Sequence, residues 1–79
     1  MNIQYIGLKK IDGPLIVLDH VKDIGFEEVA ELRLSDGTER LGRVVQIYGD
    51  KAVLQVFEGT KGLSLTNTKT RFTGRPMEL

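Results

Sequence analysis

The segment Glu28-Val29-Ala30-Glu31-Leu32-Arg33-Leu34 alternates with a period of two. Ala30, Leu32 and Leu34 fall on one side, and Val29, Glu31 and Arg33 on the other. Successive side chains of a β-strand point to opposite faces, so this pattern predicts a strand with one face in a core and one in water. Ser35-Asp36-Gly37-Thr38 follows, and Asp-Gly between such segments is a hairpin signal. A chain that opens its middle in this way is committed to paired, antiparallel strands.

The rest of the sequence follows suit. Nine glycines divide it into short segments rich in Val, Ile, Leu, Thr and Phe, the spacing of a small β protein. The first segment runs from about Ile3 to Lys10 and stops at the turn cluster Asp12-Gly13-Pro14. The second is Leu15 to Asp19, and His20 to Gly25 reads as loop. Beyond Asp36-Gly37, a strand from Thr38 to Tyr48 contains Gly42, where a bulge or sharp bend is expected. Gly49-Asp50 has Gly at the first central position of a tight turn, as type II′ requires. Lys51 to Phe57 is the next strand. Glu58-Gly59-Thr60-Lys61-Gly62 is loop, and Leu63 to Asn67 a short turn. The last strand covers Thr68 to Thr73 and ends at Gly74-Arg75-Pro76.

Six strands without a helical window must bury their apolar sides against one another. Closure removes the unpaired edges that an open sheet would leave. The expected fold is therefore all-β, a small closed six-stranded β-barrel, with two packed sheets as the alternative. Residues 1–74 form the barrel in this reading, and 75–79 begin a linker to a domain not in this sequence, because Arg75-Pro76-Met77-Glu78-Leu79 starts a partly apolar segment just after a turn.

Composition narrows the function classes. At 79 residues the chain has room for one small domain and little for a deep catalytic cleft. Eleven Lys and Arg balance eleven Asp and Glu, which argues against binding driven by phosphates of nucleic acid or by anionic lipid. Without cysteine there is no disulfide, thiolate metal site or Cys nucleophile, which fits a reducing compartment. The longest apolar run, Leu15 to Leu18, is far below the roughly 20 residues of a membrane span. Met1 to Tyr5 does not open a signal peptide.

No residue set carries catalysis, binds a cofactor or ligates a metal. His20 is alone and reads as solvated. Asp12, Asp36 and Asp50 each adjoin a glycine and read as turn residues. Glu27 and Glu28, adjacent in a strand, would point to opposite faces and cannot cooperate as a dyad. Gly59-Thr60-Lys61 does not complete a phosphate-binding loop, since Gly62 is followed by Leu63 and no helix follows. Arg71-Phe72 and the stretch Arg40 to Arg43 come nearest to a nucleic-acid patch among the aromatics Tyr5, Phe26, Tyr48, Phe57 and Phe72. Core aromatics and a solvated face describe them better. The residues point to a non-enzymatic interaction or assembly module, with an oligonucleotide-binding barrel as the alternative.

Two phrases add a resemblance. Val56-Phe57-Glu58-Gly59-Thr60-Lys61-Gly62-Leu63, then Phe72-Thr73-Gly74-Arg75-Pro76, resemble the N-terminal domain of the B subunit of the archaeal/vacuolar-type (A/V-type) rotary ATPases. Gly13-Pro14-Leu15-Ile16-Val17, the Glu28 to Leu34 strand with Asp36-Gly37, and Gly42-Arg43-Val44 agree with it colinearly. Phe57 to Thr60 and Phe72 to Gly74 favour B over the similar catalytic A subunit; Lys61 departs from the Ser common in the family.

The resemblance implies a crown β-barrel on a much longer, non-catalytic, nucleotide-binding polypeptide. Three A and three B subunits would alternate in a ring, and the barrel would brace that ring and dock the peripheral stalk. The parent complex would be an ion-translocating ATPase or ATP synthase for H⁺ or Na⁺. ATP or ADP would bind in a central domain outside this sequence, leaving no cofactor here. The barrel would lie on the cytoplasmic side and meet the membrane only through the complex. A crown barrel of a related rotary or export ATPase is a further alternative.

Overall fold

A computed structural model describes residues 3–76. It is all-β. The strands are β1 (Gln4–Ile6), β2 (Lys10–Asp12), β3 (Leu15–Leu18), β4 (Glu28–Arg33), β5 (Glu39–Tyr48), β6 (Lys51–Val56) and β7 (Lys69–Pro76). They form one antiparallel sheet in the order β1-β7-β4-β5-β6-β3-β2. Of its two outer members, β1 lies inside the first expected strand, Ile3 to Lys10, whereas β2 shares only Lys10 with it and runs on through Asp12, which was expected in the turn. The sheet curls until its ends are joined by Gly7, Leu8 and Lys9, which gives the expected barrel.

Seven strands appear where six were expected because the first one breaks at Gly7, whose φ is +89°. A side chain there would also stand 3.0 Å from the Leu65 carbonyl. The break lets Gly7 N–H donate to the Thr68 carbonyl and Leu8 N–H to the Leu65 carbonyl, both at 2.8 Å. The β6–β7 loop thus bridges the gap in the ladder. Lys9 N–H then donates to the Val17 carbonyl and starts the β2–β3 pairing.

The core holds Ile16 and Leu18 of β3, Ala30 and Leu32 of β4, Val44 of β5, and Ala52, Leu54 and Val56 of β6. Leu8 and Val21 join it from the connections, and Tyr5 and Phe72, edge to face with each other, pack against it. Leu34 is buried with Ala30 and Leu32, as the alternation predicted.

Gly42 is not a bulge. It pairs in register with Ala30 and Val56, and a Cβ there would lie 2.9 Å from the Gln55 carbonyl oxygen and 3.4 Å from a Leu32 methyl. Close backbone approach is what needs glycine at this position. The irregularities lie elsewhere, between Val44 and Gln46 on β5 and between Glu28 and Ala30 opposite β7. The β4–β5 hairpin has a three-residue loop. Gly37 N–H donates to the Leu34 carbonyl and Leu34 N–H to the Thr38 carbonyl, with Gly37 at φ +89°. Gly49 has φ +60°, as the type II′ reading requires. β7 continues through Arg75 to Pro76, whereas the last strand was expected to end at Thr73. Of the expected linker 75–79, residues 77–79 lie outside the described residues.

Candidate functional site: two apolar faces and a tied mouth

Strand alternation decides which side chains leave the barrel. Gly42 is buried, so Leu41 points outward, and Phe57 N–H donates to the Leu41 carbonyl at 3.0 Å. Leu41 and Phe57 are thus neighbours on the outside of the β5–β6 seam, 47% and 44% exposed. Glu58 follows in the chain and makes no ion pair among the described residues.

A second apolar face belongs to the β1–β7 seam. Ile6 is 69% exposed and stands in register with Lys69, while Leu65 of the neighbouring loop is 51% exposed. Both line an open groove with Gly7, Leu18 and Thr66. Around the curled sheet the β1–β7 and β5–β6 seams are separated by β7, β4 and β5 one way and by β6, β3, β2 and β1 the other, so the two faces lie on opposite sides of the barrel.

Between them the β4–β5–β7 wall is covered by charge pairs. Arg71 pairs with Glu31, and Arg33 donates to Glu39 at 2.7 Å. The Arg33 hydrogen bond holds the exposed Glu39 carboxyl below its ordinary 4.5. The hydrogen bond that Arg71 donates to Glu31 raises its guanidinium further still. Arg43 lies 3.5 Å from Glu27, and Arg40 donates to the Gly59 carbonyl at 3.0 Å. The arginines nearest to a nucleic-acid patch are therefore occupied within the fold. Tyr5 and Phe72 pack edge to face at 5.7 Å against the core, whereas Phe26, Tyr48 and Phe57 are exposed, so the expectation of core aromatics holds for two of the five.

The end of the barrel at which β7 finishes is organised by Glu28. The residue is only 7% exposed, and its carboxylate accepts the Gly25 amide at 2.8 Å and the Gly74 amide at 2.7 Å. Glu27 is not in the strand. It sits in the preceding turn with φ +66° and is exposed, so the expected opposition of the two carboxylates across a strand does not occur. In the sequence Glu28 was weighed only as half of a dyad with Glu27, yet it occupies the core phase of the Ala30, Leu32, Leu34 pattern. An acid in the inward phase was the signal.

His20 is exposed and bonded through Nδ1 to Asp50 at 3.0 Å, with Asp19 at 3.8 Å from Nε2. Asp36 accepts the Thr38 amide at 2.9 Å, and that bond keeps its exposed carboxyl below the ordinary 3.8. Thr60 donates to the Gly13 carbonyl, which pins the loop that failed as a phosphate site. Among the described residues no group of three or more His, Cys, Asp or Glu is placed to hold a metal, and no helix is long and apolar enough to cross a membrane.

Residues 8–74 match the family model described as ATP synthase alpha/beta family, beta-barrel domain. The chain belongs to that family. It is 47% identical over its whole length to a V-type ATP synthase beta chain from Clostridium tetani, and 44% identical over 99% of its length to the B subunit of an A-type ATP synthase from Cenarchaeum symbiosum. A V-type beta chain from Halothermothrix orenii is 46% identical over 96% of it. The chain spans 17% of the length of the first two relatives and 16% of the third. It is thus the barrel domain of a B-type subunit, as the Phe57 to Thr60 and Phe72 to Gly74 phrases implied.

Proposed function

We propose that this barrel is the brace of the B subunit in a rotary ATP synthase. It holds a ring of alternating A and B subunits and docks the peripheral stalk, and it carries no chemistry itself. The observation that supports this most is the pair of apolar faces on opposite sides of the barrel. A member of a closed ring contacts its two neighbours through different surfaces. Leu41 with Phe57 and Ile6 with Leu65 provide two such surfaces, separated by a wall whose charges are already paired. The occupants are the corresponding barrels of the flanking A subunits.

In this reading ATP or ADP binds in another part of the parent polypeptide, and the barrel reaches the membrane only through the complex. The parent complex couples ATP synthesis or hydrolysis to ion movement from the cytoplasmic side. The barrel's contribution is stiffness, supplied by a sheet curled until its two outer strands are joined through Gly7, Leu8 and Lys9.

Titration calorimetry of the barrel with millimolar ATP should give no binding heat, and the C-terminal part of the matching peripheral stalk should capture it. Clear nucleotide binding, or capture failing while the barrel is folded, would contradict the reading. Micromolar binding to single-stranded RNA that weakens with added salt would instead favour an oligonucleotide-binding module.

A further inference from the structure

We propose that Glu28 is a latch that couples the β3–β4 connection to the bend in β7, so that the two segments open and close as one unit. This goes beyond the bracing role and concerns how the mouth of the barrel moves.

Three observations meet at Glu28. Each carboxylate oxygen takes one backbone amide, Oε1 from Gly25 and Oε2 from Gly74, across the barrel mouth. Charge-assisted bonds of this kind are stronger than neutral ones, and the side chain is buried, so water does not replace either partner cheaply. No ladder does the same work. Glu28 is in register with Pro76 and Ala30 with Phe72, which leaves Thr73, Gly74 and Arg75 facing Val29 alone.

Secondly, the β3–β4 connection sits in a conformation that the chain does not choose by itself. His20, Asp23 and Glu27 all have positive φ, at 59°, 56° and 66°, within one connection. Such residues persist where the surroundings over-determine them. Gly74 has φ +79°, and Thr73 Oγ donates to the Val29 carbonyl while accepting the Arg75 amide.

Thirdly, the segments are separated by a cleft of about 220 Å³. Lys22, Asp23 and Ile24 line one side, and Thr73 and Gly74 the other. Glu28 lies at the buried edge of this cleft and joins the two segments there. The coupling also runs on: Val21 N–H donates to the Asp50 carbonyl, and His20 bonds the Asp50 carboxylate, so the connection is tied to the β5–β6 tip. A pull on Gly74 to Pro76 is therefore felt at residues 20–25, and the reverse holds because coupling between sites is reciprocal.

Amide exchange measured by NMR on the full 79-residue chain tests this. In Glu28→Gln one amide loses its carboxylate acceptor. The Gly25 and Gly74 amides should both exchange about tenfold faster or more, while Leu34 and Phe57 stay within about twofold. A rise at only one glycine, or an equal rise at all four, overturns the latch. Thr73→Val gives a second, milder reading, since it loosens only the β7 side. The latch predicts faster exchange at Gly25 as well; a wild-type rate at Gly25 beside a faster Arg75 amide overturns it. Both results are independent of whether the barrel joins a ring, so they leave the bracing role to its own test.

Discussion

The β5–β6 wall and the β3–β4 connection are held by opposite means. In the wall the backbone does the work. Gly42 lets β4, β5 and β6 pack with a carbonyl where a side chain would be, and a two-residue turn at Gly49-Asp50 returns the chain. In the connection the backbone is unfavourable, with three left-handed non-glycine residues, and side chains hold it: Glu28, Tyr5 accepting the Lys22 amide, and His20 on Asp50. Regular structure makes a stiff wall from local rules, whereas the mouth depends on a few long-range bonds. Stiffness is therefore unevenly distributed, and local opening is expected at the mouth first.

The largest effect should come from the wall. Gly42→Ala drives a methyl group into the Gln55 carbonyl and should destabilise the chain by about 2 kcal/mol, read from the urea midpoint. A neutral result would mean the strands can part without cost and would remove the contrast. Next come two fully buried threonines on one segment. Thr68 Oγ accepts the Ser64 amide at 2.8 Å, so Thr68→Val should cost about 1.5 kcal/mol by orphaning that amide. Thr70 Oγ has no partner, so Thr70→Val should stabilise by about 1 kcal/mol in the same experiment. Opposite signs from the same substitution would separate a hydroxyl that ties a loop from one that the core merely tolerates.

The smallest effect concerns the β4–β5 turn and is read by pH. The Thr38 amide holds the Asp36 carboxyl below its ordinary 3.8. A lowered carboxyl stabilises the fold above that ordinary value, and the gain disappears as pH falls through the lower folded value. The Thr38 amide shift, followed by NMR, should therefore titrate below pH 3.8 and stay flat in Asp36→Asn. A midpoint above 3.8 would contradict it.

The wall was legible in the sequence because its determinants are local. Period-two alternation placed Ala30, Leu32 and Leu34 in the core, and Asp36-Gly37 and Gly49-Asp50 marked the turns. The mouth was not, because its determinants pair residues far apart. Gly25 and Gly74 meet on one carboxylate although nearly fifty residues separate them, and nothing local to either announces it. Gly42 was noticed for the wrong reason: a mid-strand glycine signals a bulge or a close approach alike, and only the neighbouring strand decides. The outer faces were also hidden, since Ile6, Leu41 and Phe57 read as strand residues until closure showed which side they face.

The central claim is that this barrel works by contact, through its outer faces. It is tested by assembling the full-length B subunit with its A partner and measuring ring yield by native mass spectrometry. Leu41→Glu with Phe57→Glu should lower the yield about tenfold or more, while Tyr48→Glu at the hairpin tip leaves it unchanged. Rings forming at wild-type yield with both charges on the β5–β6 face would contradict the account.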